Sequence, residues 1–253
     1  MKRPEKREVL IFQKIDELCD FLIKKWKEIS EKAVKERGIF TVALSGGETP
    51  VEFYQRLADS KNLFPWSRTH IFLADERFVP FDHPDSNYGM IRKDLLARIS
   101  LPPQNVHTIQ IYHTPEISAE KYEEDLRMFF NLEKGNFPEF DLIILGIGKD
   151  GHTASIFPGD TELLETNHLA EAVYLDELKH DRVTLTLSVI NRARQVIFLV
   201  SGEEKSEIMK EVLEKPESNL PASMVRPLNG ELFFLLDKEA GSHLSQDKTA
   251  LKK

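Results

Sequence analysis

Only one of the 253 residues is a cysteine, Cys19, so no internal disulfide can staple this chain. It falls on the apolar stripe of an expected first helix and reads as core rather than as a reactive thiol. Nowhere do about 18 apolar residues follow one another, so no membrane-spanning helix is expected. The amino-terminal segment is basic at Lys2, Arg3, Lys6 and Arg7, yet its apolar stretch, residues 9–12, is too short for a signal peptide. Positive charge is in deficit as well, with 34 basic against 42 acidic residues and a net charge of −8. A phosphate backbone calls for a basic face, so nucleic acid is excluded as the main partner. A small phosphorylated ligand remains open, because it needs only a few cations converging locally. A reducing, cytoplasmic setting follows as the default.

What is present is an alternation of helix and strand patterns. Ile15, Leu18, Leu22, Trp26, Ile29 and Ala33 recur every three or four residues and Gly38 follows, the pattern of an amphipathic helix with a glycine stop. Apolar strands are expected at residues 39–44, 70–74, 106–109, 142–145, 172–175, 182–187, 195–200 and 232–236. Between them lie helical faces built on Phe53, Tyr54 and Leu57, on Met90, Ile91, Leu95 and Leu96 behind a Ser86 cap, on Tyr122, Leu126, Phe129 and Phe130, and on Ile208, Met209, Val212 and Leu213. The four branched aliphatics from Leu142 to Leu145 read as a strand covered on both faces. The fold class is α/β, a Rossmann-like, mainly parallel sheet with helices on both faces. No repeat, low-complexity tract or linker divides residues 1–253, which read as one domain, and the tail at 241–253 is expected to fray.

Four loops rich in glycine or charge, at Ser45, Asp75, Gly146 and Ser201, each follow an apolar strand. In a parallel sheet those carboxyl ends share one edge, so four loops distant in sequence are expected to meet in one crevice. The loop Ser45-Gly-Gly-Glu-Thr-Pro50 enters a helix. The amides there, Gly46 and Gly47 among them, and the hydroxyls of Ser45 and Thr49 suit an oxyanion. Glu48 is expected to point away from it. The loop lacks the glycine-lysine step of a nucleotide P-loop and the spaced glycines of a dinucleotide fingerprint.

Arg77, directly behind a strand, can fork onto a phosphate or polarise a carbonyl. Arg182 opens a strand rather than ending one, which makes Lys205, on the Ser-Gly loop, the better second cation. In Gly146-Ile-Gly-Lys-Asp-Gly-His152, Gly148 and Gly151 allow close approach of a ligand to the main chain. Asp150 stands near enough to His152 to bias the imidazole tautomer and prepare a base. His152 activating water is preferred over a Ser45 nucleophile, which lacks the nucleophile-elbow context. His83 and His113 stand in proline-bearing loops, and His168, His180 and His243 carry no motif. No histidine pair has metal-ligand spacing, so no metal is expected.

Together, Ser45-Gly-Gly-Glu-Thr-Pro50, Asp75-Glu-Arg-Phe-Val-Pro80, Ser86-Asn87, Leu145-Gly-Ile-Gly-Lys-Asp-Gly-His-Thr-Ala-Ser-Ile-Phe-Pro158, Arg182-Val-Thr-Leu-Thr186 and Ser201-Gly-Glu-Glu-Lys205 strongly resemble the 6-phosphogluconolactonase family. The resemblance spans about residues 10–236. It implies hydrolysis of 6-phospho-D-glucono-1,5-lactone in the oxidative pentose phosphate pathway, no required cofactor, and a phosphorylated sugar lactone as the small-molecule partner of a monomer or weak homo-oligomer. It also implies that the glycine-loop amides and Arg77 serve the oxyanion, while the Ser45 loop, Lys205 and Arg182 hold the phosphate. The related glucosamine-6-phosphate deaminases typically read Asn-Gly-His-Ile-Ala-Phe-Asn-Glu-Pro around the histidine. Here Asp150 replaces the asparagine and Phe157 stands in place of the glutamate. A non-catalytic sugar-phosphate sensor is a further alternative, but such regulators carry a helix-turn-helix that this chain does not show.

Overall fold

Among the described residues eight strands form one sheet in which every pair is parallel, in the spatial order β11 (250–251), β1 (6–12), β10 (231–237), β9 (195–200), β6 (142–145), β2 (40–44), β3 (69–73) and β5 (106–107). The computed structural model describes residues 6–160, 166–174, 179–215, 217–245 and 250–251. The strands are β1 (Lys6–Phe12), β2 (Phe40–Leu44), β3 (Thr69–Leu73), β5 (Val106–His107), β6 (Leu142–Leu145), β9 (Gln195–Val200), β10 (Glu231–Asp237) and β11 (Ala250–Leu251). All residues of β2 and β6 are buried. Successive strand residues face opposite ways, so both faces of the sheet centre are covered. The chain runs outward from β2 to β3 and β5, then returns to the other side of β2 as β6. That reversal is a topological switch point, where the loops leaving two neighbouring strands part company.

The helices follow the apolar spacing. α1 (Ile15–Arg37) buries Leu18, Cys19, Leu22, Trp26, Ile29 and Ala33, and ends on Gly38 at φ 82°, whose N–H donates to the Val34 carbonyl at 2.9 Å. A side chain at that φ would be strained, so glycine terminates the helix cheaply. α2 (Thr49–Asp59) leaves the Ser45 loop, α3 (Asn87–Asp94) starts on Ser86, and α4 (Pro115–Phe129) starts on Thr114. The Ser86 hydroxyl accepts from the Gly89 N–H at 3.0 Å, as a capping serine should. α4 is moored to the sheet by Tyr122, whose hydroxyl donates to the Leu73 carbonyl at 2.7 Å and accepts from the Leu73 N–H at 3.1 Å. Two short helices, α5 (Leu187–Ile190) and α7 (Pro221–Met224), flank α6 (Ser206–Glu214).

Three expectations need correction. First, β1 was not foreseen: only residues 9–12 are apolar there, and the charged start of the strand masks it. It lies near the sheet edge, where charge is tolerated. Second, β4 (Asp75–Arg77), β7 (Ala170–Val173) and β8 (Arg182–Leu185) form a separate antiparallel sheet, order β4-β8-β7. The segment read as a loop after β3 is thus partly strand. The pairing expected at 172–175 occurs two residues earlier, with Leu175 outside the described residues, and Thr186 turns the chain into α5 instead of prolonging β8. Third, within the tail expected to fray, Gly241 is buried and Ala250–Leu251 pairs with Leu10 and Ile11 of β1.

One continuous apolar core joins both sheets. Trp26 lies at its α1 end, edge-on to Phe40 of β2 at 5.2 Å and close to Phe53, Phe64 and Trp66. At the amino edge of the sheet, buried Asp141 accepts from the Thr41 N–H (2.9 Å) and hydroxyl (3.1 Å) and pairs with Arg37 at 2.9 Å. That knot fixes the register of β6 on β2, far from the loops at the opposite edge.

Trp26→Ala should lower the free energy of unfolding by about 3–5 kcal/mol, the scale for truncating a large core aromatic, measured by chemical denaturation. Burial pushes the Cys19 thiol up to about 12, aided by the Glu52 charge. The native protein should therefore resist thiol-specific alkylation at neutral pH and react only in denaturant. Rapid native labelling would contradict its place in the core.

Candidate active site

The four loops do converge. A cleft of about 450 Å³ at the carboxyl edge of the sheet is lined from the Ser45 loop after β2, Asp75 and Arg77 after β3, the glycine loop after β6 and the Lys205 loop after β9. It opens over the switch point between β2 and β6.

The Ser45 loop carries donors without protein acceptors. The Ser45 hydroxyl is buried with no partner among the described residues, while its carbonyl accepts from Tyr54 at 2.7 Å, which holds the loop down on α2. The amides of Gly46, Gly47, Glu48 and Thr49 donate to no acceptor among the described residues. Gly46 must be glycine because a Cβ there would lie 1.8 Å from Oδ1 of Asn87. Glu48 lines the cleft too. Burial is the largest influence on Lys205 and depresses its pKa, opposed by Glu204, Asp150 and Glu48 and reinforced by Lys149.

Arg77 and Arg182 are direct cross-strand partners in the small sheet. Because β8 runs antiparallel to β4, the start of β8 lies beside the end of β4. This brings Arg182 into the cleft although it opens a strand rather than ending one. The Nε atoms of both arginines are buried without an acceptor, and neither makes an ion pair among the described residues. Arg77 Nη1 donates to the Asp85 carbonyl at 2.6 Å. Burial, and next the neighbouring Arg77 charge, pull Arg182 below the ordinary arginine range. Two guanidinium groups side by side repel unless an anion lies between or before them.

His152 and Asp150 form a pair. Asp150 Oδ1 is 2.6 Å from His152 Nδ1 and 3.1 Å from the His152 N–H. Burial acts to raise the Asp150 pKa, but these hydrogen bonds outweigh it and hold the carboxyl below its usual range. With Nδ1 donating to the carboxylate, the imidazole lone pair falls on Nε2. Phe157 packs on the ring, centroids 4.5 Å apart.

Gly148 lines the cleft and Gly151 does not, and the amides of both are engaged. The Gly148 N–H donates to the His152 carbonyl at 2.9 Å and the Gly151 N–H to the Gly148 carbonyl at 3.0 Å, so neither amide is free for an oxyanion. Gly151 turns the chain at φ 84° against Leu220 and does not line the cleft. A Cβ on Gly148 would come within 2.1 Å of His152 Nδ1, so this glycine makes room for the pair.

Sequence reasoning missed several supporting residues. Ser155 donates from its hydroxyl to Asp75 Oδ2 at 2.7 Å and from its N–H to the Thr184 hydroxyl at 3.1 Å, tying the glycine loop to the small sheet. Buried Glu76 accepts from the N–H groups of Arg77, Asn87 and Tyr88 at 2.7, 2.7 and 2.8 Å and from the Ser86 hydroxyl at 3.1 Å. It clamps the Arg77 strand onto the start of α3. Asn87 lines the cleft and donates to the Asp75 carbonyl at 2.9 Å. Asp237, ending β10, accepts from the Ser201 hydroxyl and the Gly202 N–H and so seats the Lys205 loop. No spacing rule pointed to these contacts, which join residues far apart in the chain.

The family model described as glucosamine-6-phosphate isomerases/6-phosphogluconolactonase matches residues 13–234. A 6-phosphogluconolactonase of Synechocystis sp. is 44% identical over 84% of this chain and 88% of its own length. One of Rattus norvegicus is 42% identical over 83% of this chain and 82% of its own. The crystal structure of 6-phosphogluconolactonase from Thermotoga maritima superposes with a TM-score of 0.79 at 36% identity, over 91% of this chain and all of that one. A match across nearly the whole sheet, with relatives above 40% identity, makes this chain a member of the 6-phosphogluconolactonase family within that wider group.

Proposed function

We propose that this chain is a carboxylic-ester hydrolase that converts 6-phospho-D-glucono-1,5-lactone to 6-phospho-D-gluconate, the lactonase step of the oxidative pentose phosphate pathway. The observation that carries the reading is one cleft holding both a carboxylate-oriented imidazole and a set of anion donors with no protein partner. The 6-phosphate rests on the Ser45 hydroxyl and the free amides of the Ser45–Thr49 loop. Arg182 flanks it on one side and Lys205 on the other. Anchoring the remote phosphate orients the lactone and supplies much of the rate advantage as positioning.

His152 Nε2 takes a proton from water as the water oxygen bonds to the lactone carbonyl carbon. Asp150 holds the ring and stabilises the imidazolium through Nδ1. Arg77, at the end of β4, lends positive charge to the developing oxyanion. As the tetrahedral intermediate collapses, the carbon–ring-oxygen bond breaks and the ring oxygen takes the proton back from Nε2. The products are a free hydroxyl and a carboxylic acid, which releases its proton to solvent to become the carboxylate, and no cofactor enters the scheme. We read the protein as a cytoplasmic enzyme, in keeping with its buried thiol, acting as a monomer or weak homo-oligomer. A deaminase would require a carboxylate where Phe157 packs on the His152 ring.

Freshly generated 6-phosphogluconolactone and glucosamine 6-phosphate, assayed in parallel, should give acid release and no ammonia. Ammonia without acid would reverse the assignment. His152→Ala should lower kcat by about two to four orders of magnitude, the usual span for loss of a general base. Arg182→Ala and Lys205→Ala should act mainly on KM, because the phosphate is bound alike in ground and transition states. Gly148→Ala should lower kcat about a hundredfold, the scale of a 1 Å misplacement, while thermal stability changes little. Full activity in that variant would show that the Asp150–His152 pair tolerates displacement.

A further inference from the structure

His83, Asp85 and His180 carry no sequence motif, yet they meet beside the paired arginines. Asp85 Oδ2 lies 2.9 Å from His180 Nε2 and 4.0 Å from His83 Nδ1, and the two imidazoles stand edge to face with centroids 5.2 Å apart. One ligand atom from each lies within 4.8 Å of the others, and all three residues are half-buried. Backbone hydrogen bonds bring the two segments together alongside the contacts of Lys179 and His180 with the Asp85 carboxylate. The His83 N–H donates to the Pro80 carbonyl at 2.9 Å and the Ser86 N–H to the His83 carbonyl at 3.0 Å, while the Phe78 N–H donates to the Asp181 carbonyl at 2.8 Å. The two segments are therefore held at the spacing of a chelate before anything binds.

We propose that His83, Asp85 and His180 form a binding site for a borderline divalent transition-metal cation of the zinc class, separate from the catalytic cleft. Two imidazoles and one carboxylate suit zinc, nickel, cobalt or copper, whereas calcium and magnesium prefer more oxygen donors. The Asp85 N–H donates to His83 Nδ1 at 3.1 Å, so that lone pair is engaged, and ligation through Nδ1 would replace this hydrogen bond. The Asp85 carboxylate accepts from Lys179 Nζ and sits against His180 Nε2 at 2.9 Å, contacts that an ion held by the three residues would replace. The exposed Lys179 ammonium, 2.5 Å from Asp85 Oδ2, is the cation that a metal would displace. A bound ion would pin the turn whose Asp85 carbonyl accepts from Arg77 to the residues that lead into Arg182.

The test is calorimetric titration of the full chain, free of affinity histidines and stripped of metal, with zinc chloride. One equivalent should bind with heat, and thermal melts followed by circular dichroism should shift upward with zinc. His83→Ala, His83→Gln and His180→Ala should each weaken binding about tenfold or more, since even residues that merely support metal ligands cost 10–100-fold. Lys179→Ala, which removes the competing ammonium, should tighten it. His243→Ala, on a separate surface ion pair with Glu207, should bind as the parent does. Melts without metal identify any variant that fails to fold, and the glutamine variant keeps the side-chain bulk of His83. Absence of a one-to-one binding event, or parental affinity in both the His83→Gln and His180→Ala proteins, overturns the site.

Discussion

The pairing of β2 with β6 is the constraint on which the site depends. The chain leaves these neighbouring strands in opposite directions, so the loops at their carboxyl ends cannot pack on each other, and a cleft opens between them. One loop delivers unpaired amides and the Ser45 hydroxyl. The other delivers the Asp150–His152 pair. At the opposite edge, the Asp141–Thr41–Arg37 knot sets the register that keeps the two loops level with each other.

The small antiparallel sheet adds what a purely parallel architecture could not. Reversing β8 against β4 places two arginines directly opposite each other at the rim of the cleft. Holding two guanidinium groups together with buried, unmatched Nε atoms costs folding free energy, because each polar group lost its water without gaining a partner. Local positive charge is thus concentrated on a molecule whose net charge is −8. Complementarity to a phosphorylated ligand is built in before the ligand arrives. Glu76 and Asp237, both outside the chemistry, bear the mechanical load: one clamps the arginine strand to α3 and the other seats the lysine loop.

Much of this was legible in the linear sequence because it rests on local rules. The α1 stripe, its Gly38 stop, the Ser86 cap and the buried run at Leu142 follow from periodicity and backbone preference, and the convergence of four loops follows from parallel topology. The small sheet was not legible. Asp75–Arg77 is three charged residues long and pairs with partners a hundred positions away, so no period or propensity marks it as strand. The roles of Gly148 and Gly151 also escaped, since whether a glycine serves a ligand or merely makes room depends on the acceptor that its amide finds. Asp75–Ser155 and Glu76–Asn87 stayed hidden for the same reason.

β1 and β10, the first and nearly the last strands, lie side by side. During translation the ribosome releases β1 almost a whole chain length before its mate exists. Its apolar end, Leu10, Ile11 and Phe12, must wait without a ladder, and a nascent strand in that condition invites mispairing. The charges that hid this strand from pattern recognition at its start are of the kind that, next to an unavoidable apolar run, disfavour such mispairing until Glu231–Asp237 emerges.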